Sequence, residues 1–105
     1  MRSGKVYGAL GLARRAGKCI TGDFACERAV KAGEALLVIL DDKASDATKG
    51  RYRALCEKRG IELLELFEAG AAVGKPGGKI AVILDKGFAD MIAHAAKNNQ
   101  EPGSI

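Results

Sequence analysis

Residues 11–33, GLARRAGKCITGDFACERAVKAG, decide how the chain is read. They parse as the end of one helix, a short strand, a glycine turn and a new helix. Lys18, Cys19, Ile20 and Thr21 form a short, partly β-prone run. Gly22 and Asp23 then turn the chain into a helix reaching about Ala32, with Cys26, Ala29 and Val30 as its inward stripe and Gly33 as its stop. A glycine turn that opens a helix leaves backbone N–H groups without intrahelical partners, and the helix dipole adds positive potential there. Arg14, Arg15, Lys18, Arg28 and Lys31 surround the turn against only Asp23 and Glu27. Such a place suits phosphate.

Upstream, residues 3–16 fit a helix. Val6, Ala9, Leu10 and Ala13 follow helical spacing, Ser3 is placed to cap the start, and Gly17 suits a left-handed stop. Arg14 and Arg15 fall in the last turn, where cations favour the dipole, so a structural role accounts for them as well as a binding one. Downstream, residues 35–40, ALLVIL, and 79–84, KIAVIL, are apolar runs of strand length without alternation, the pattern of strands buried on both faces. Between them Ser45 caps a helix to about Arg59, with Tyr52, Leu55 and Cys56 inward and Gly60 as the stop. Residues 61–66 give another strand and 67–73 a short helix. Residues 74–78, GKPGG, are a loop. Phe88, Met91, Ile92 and Ala95 mark a final helix ending near Lys97.

Strands alternating with helices predict an α/β protein, a three-layer α/β/α sandwich with a central sheet of about four strands. Residues 1–98 are expected to form a single domain and 99–105, rich in polar residues with Pro and Gly, a flexible tail.

Composition narrows the function. The 105 residues carry a net charge of +4, and residues 1–33 alone hold seven Lys/Arg against two Asp/Glu. The basic excess sits in the first third, which points to a polyanion partner and a docking face. No apolar run is long enough for a membrane helix, and the start lacks the apolar centre of a signal peptide. Cys19, Cys26 and Cys56 form no C-x-x-C pair and His94 stands far from them, so no metal site is expected. Reduced thiols fit a cytoplasmic protein. Neither a cofactor nor a small-molecule substrate is expected.

Three enzyme-like features have bland readings beside them. The run from Gly11 to Gly17-Lys18 fails as a nucleotide-binding P-loop: five residues separate the glycines instead of four, Cys19 replaces the metal-binding Ser or Thr, and a helix precedes it. Asp41 and Asp42 after one buried strand and Asp85 after another loosely suggest a Mg²⁺-dependent phosphoacceptor domain; solvated acids after strands are the alternative. His94 reads as a structural or surface histidine. Phe24, at the helix start among basic residues, is either a core or staple residue or, if exposed, a platform for an unpaired base.

Residues 11–42, then CEKRGIELLEL, the EAGAAVGKP loop and IAVILDKGFA, taken in order, resemble the kink-turn RNA-binding ribosomal protein family of archaeal and eukaryotic large subunits. The likeness spans about residues 4–97. It is strongest to the small bacterial paralogues, whose Gly-Leu-Ala-x-Arg-Ala-Gly-Lys pattern stands here at residues 11–18. The resemblance implies an α/β/α sandwich, no catalysis, and RNA binding by the start of the second helix plus a late loop. Gly22 matches the family's glycine and Arg28 falls at its lysine. Phe24 and Ala25 replace the polar pair that reads guanines of sheared G·A pairs, and Lys43-Ala44-Ser45 stands where bacterial relatives often carry Asp-Ala-Ser. Lys18, Gly22, Asp23, Phe24, Arg28, Lys31, Lys75, Pro76, Gly77 and Gly78 are the RNA-binding candidates, with Arg28 suited to a guanine edge and Lys31 to phosphate. A protein–protein adaptor on the same fold is the remaining alternative.

Overall fold

A computed structural model describes residues 4–74 and 78–99. The elements run α1 (Gly4–Arg15), β1 (Cys19–Thr21), α2 (Asp23–Lys31), β2 (Leu37–Asp41), α3 (Asp46–Arg59), β3 (Glu62–Leu66), α4 (Ala69–Ala72), β4 (Ile80–Ile83) and α5 (Lys86–Asn99). Each element expected from the sequence is present. The final helix starts two residues before Phe88 and ends two after Lys97, and the second strand is shifted towards Asp41. That shift has a local cause: the Asp41 amide donates to the Lys79 carbonyl at 2.8 Å, which extends the sheet by one residue.

The helix stops follow the expected chemistry. At the end of α1 the Lys18 amide donates to the Ala13 carbonyl at 2.9 Å, across Gly17 at φ 76°. Gly60 closes α3 at φ 69°, and the Ser45 side chain accepts from the Thr48 amide at the other end. These are the left-handed glycine stop and the Ser cap. The candidate cap Ser3 lies outside the described residues, as do Lys75, Pro76, Gly77 and the tail beyond Asn99.

The sheet order is β1-β4-β2-β3. β4 is antiparallel to both its neighbours, and β2 and β3 are parallel. Side chains alternate across it, although the sequence of β2 and β4 shows no alternation. Leu37, Ile39, Ala81 and Ile83 face a core with Val6, Leu10 and Ala13 of α1 and Ile92 and Ala96 of α5. Val38, Leu40, Ile80 and Val82 face a second core with Cys26 and Val30 of α2 and Tyr52 and Cys56 of α3. This is the three-layer α/β/α sandwich, and burial on both faces removes the polar residues that would reveal a period of two.

Candidate nucleic-acid interface

The strand directions decide what meets. β1 runs towards Thr21, and Thr21 pairs with Ala81 near the start of β4. Leu40 of β2 pairs with Ile80, and Asp41 pairs with Leu66 at the end of β3. One end of the sheet therefore collects the start of α2, Gly78 and Lys79, the turn after Asp41, and Phe67. A narrow cleft there is lined by Thr21, Gly70, Val73, Gly78, Lys79 and Ile80. Two segments more than fifty residues apart in sequence thus flank one another.

Gly22 makes the turn at φ 97° and ψ 136°, and no side chain caps the helix it opens. A side chain there would be strained, because this backbone region is disfavoured for L-residues. The first amides of α2 consequently lack a side-chain acceptor. Asp23, the natural candidate, is engaged elsewhere. Its carboxylate accepts from the Arg51 guanidinium at 2.6 and 2.8 Å and from the Tyr52 hydroxyl at 2.8 Å, and its carbonyl accepts from the same hydroxyl at 2.9 Å. The Arg51 hydrogen bonds hold the Asp23 carboxyl below the usual carboxylate range. Burial, helped by the hydrogen bond to Asp23, pushes the Tyr52 phenol far above its ordinary value. Asp23 is thus the pin that joins the start of α2 to α3.

Glu27 is neutralised in the same way, by Lys31 at 2.7 Å and by Arg51 at 2.8 Å. Both acids of the stretch face α3 and both are paired. Arg28 and Phe24 lie on the exposed side of α2, and Phe24 is 78% exposed. The core reading of Phe24 is therefore overturned: the inward stripe of α2 is filled by Cys26, Ala29 and Val30, and residue 24 falls off it. Among the described residues neither Arg28 nor Lys79 has a carboxylate partner within ion-pair distance.

The candidates do not all gather. Gly22, Asp23, Phe24 and Gly78 share the one end of the sheet, with Arg28 about one turn along α2. Lys18 lies at the opposite end of β1, where its carbonyl accepts from the Leu84 amide at 2.8 Å. Lys31 sits at the far end of α2, about 12 Å along the axis from Asp23, and is paired with Glu27. Sequence reading missed Lys79, which directly follows the predicted loop, and also Arg51 and Tyr52, whose roles exist only once α2 packs on α3. It missed Phe67 as well, 51% exposed at the same end of the sheet, with the Lys43 ammonium 5.1 Å from its ring centroid.

The magnesium reading fails on topology. Because β2 and β4 are antiparallel, Asp41 and Asp85 emerge at opposite ends of the sheet. Each carboxylate is also occupied by backbone. Asp41 accepts from the amides of Lys43 at 2.8 Å and Gly70 at 3.0 Å. Asp42 accepts from the Glu68 amide at 3.1 Å, and Asp85 from the Phe88 amide at 3.0 Å. No cluster of three or more possible metal ligands occurs among the described residues. The thiols are structural too: burial raises all three, Cys26 to about 12.

Comparison with known proteins fits this geometry. The sequence model of the ribosomal protein L7Ae/L30e/S12e/Gadd45 family matches residues 4–93. The RNA-binding protein YlxQ of Enterococcus faecium is 34% identical over 88 residues, covering 81% of this chain and 84% of that protein. A protein with unknown function from Bacillus halodurans C superposes with a TM-score of 0.85 at 30% identity, over 90% of this chain and 99% of that one. The 15.5kD RNA binding protein of Giardia lamblia shares the fold, with a TM-score of 0.72 at 16% identity over 91% of this chain and 85% of that one.

Proposed function

The chain belongs to the ribosomal protein L7Ae/L30e/S12e/Gadd45 family, and from that premise we propose that it is a non-enzymatic protein that binds structured, kink-turn-type RNA at the end of the sheet formed by the start of α2 and the start of β4. The observation that carries this reading is the meeting of an uncapped helix start with Gly78 and two cations, Arg28 and Lys79, that form no salt bridge among the described residues. Backbone amides at a helix start donate to phosphate oxygens, and the cations add salt-dependent affinity. Gly22 and Gly78 let a sugar–phosphate backbone come close without side-chain obstruction. Ribosomal RNA is the first partner to try. A cytoplasmic location belongs to the same proposal and is supported by three free, buried thiols.

The test is titration of a kink-turn RNA into the wild type and an Arg28→Ala/Lys79→Ala variant at two salt concentrations. Binding should weaken as salt rises, and the double variant should bind more weakly with a shallower salt dependence. Absence of binding at low salt, or a double variant indistinguishable from the wild type, would reject the proposal.

A further inference from the structure

We infer that Phe24 and Arg28 form a base-holding pair that selects RNA by an unstacked nucleotide, deepening the RNA-binding reading on which the inference rests. Phe24 is the most exposed large apolar side chain among the described residues, at 78%; Phe67, Met91, Leu12 and Leu36 lie between 44% and 51%. It contributes to neither core. Its position on the first turn of α2 is what gives it a use. Asp23 before it is held towards α3 by Arg51, and Ala25 after it has only a methyl group, so neither neighbour covers the ring. Arg28 follows at i+4, the spacing that brings two side chains together on one helix face.

The electrostatics of α2 are sorted by face. Asp23 and Glu27 are drawn towards α3 by Arg51, with Lys31 completing the neutralisation of Glu27. The side that carries Phe24 and Arg28 keeps a cation and an aromatic ring, and among the described residues no acid forms a salt bridge with Arg28. A planar apolar ring one helical turn from a guanidinium matches a nucleobase: the ring takes the π-face of the base, and the guanidinium reaches its edge or the adjoining phosphate. A base inside a continuous duplex has no free face, so the ring gains contact only where a nucleotide is unpaired or bulged. The ring carries no hydrogen-bonding group and accepts any base. Arg28 supplies a preference for guanine, whose O6 and N7 accept a bidentate guanidinium. The selected ligand is therefore RNA with an extruded nucleotide, guanine-biased, rather than RNA defined by a particular set of paired bases.

Two RNAs distinguish this from general RNA binding: a duplex with a single bulged guanosine, and the same duplex fully paired. The wild-type chain should prefer the bulged RNA by roughly tenfold, the scale of one base–aromatic stack. Phe24→Ala should bring the ratio of the two affinities to about one, whereas Phe24→Trp should retain the preference. Circular dichroism should show both variants folded, because residue 24 touches neither core. A bulge preference that survives Phe24→Ala, or a wild type that binds both RNAs equally, overturns the inference and leaves RNA binding standing. Failure to bind either RNA at low salt overturns the RNA-binding reading itself.

Discussion

At the scale of single residues, the candidate interface depends on side chains that never touch its outer face. In sequence Asp23 stands among the RNA-binding candidates, as one of two acids in a basic stretch. In the structure it is neutralised by Arg51 and Tyr52, and through them it fixes where α2 begins. Tyr52→Phe should lower stability by about 1–2 kcal/mol, because it removes a buried hydroxyl that serves two acceptors; urea unfolding measures this, and an unchanged midpoint would deny Tyr52 that role. Asp41 offers a pH test. Burial alone would raise its carboxyl, but hydrogen bonds from the Gly70 and Lys43 amides, joined by Asp42 and the charge of Lys79, together hold it below its ordinary value. Its contribution is present in full above about pH 4, where the unfolded carboxyl is ionised, and is lost as pH falls through the lower folded value. Asp41→Asn should destabilise the protein at pH 6 and lose less further stability than the wild type between pH 6 and pH 3. Equal losses in the two proteins would contradict the assignment. Phe24 was the residue that sequence alone left open, because helical spacing places it only once the inward stripe of α2 is known.

At the scale of elements, the helices were legible because their signals are local. The apolar spacing of Val6, Ala9, Leu10 and Ala13, the cap at Ser45 and the stop at Gly60 each depend on residues within one or two turns. β2 and β4 were legible as strands, but their alternation was hidden because both faces are covered. The glycine turn at residue 22 was legible as a turn, while its φ of 97° belongs to the structure. Gly22→Ala should therefore cost about 1–2 kcal/mol through backbone strain, even though an added Cβ would meet nothing within 4 Å. Thermal unfolding measures this, and an unchanged midpoint would mean that the turn relaxes. In RNA binding, Arg28→Ala should cost about 1–3 kcal/mol if the guanidinium meets a base edge, with little loss of stability because the side chain is exposed. Unaltered affinity in a folded variant would remove α2 from the interface.

At the scale of the whole molecule, topology was the part that sequence withheld. Continuous apolar strands do not state their order or direction. Here the direction of β4 does two things at once: it brings Lys79 and Gly78 to Gly22, and it sends Asp85 away from Asp41. The same reversal brings the parts of the candidate nucleic-acid interface together and separates the acids of the candidate metal site. β1 itself separates Lys18 from the α2 start, so the basic first third is divided between two ends of the sheet instead of forming one patch. The most direct test of the interface is a map of backbone amide shifts in the isotope-labelled protein during titration with a kink-turn RNA. The largest changes are expected at residues 22–28 and 78–80, with little change along the α1–α5 face around Leu12 and Met91. Changes centred on Leu12 and Met91, with residues 22–28 unmoved, would contradict it.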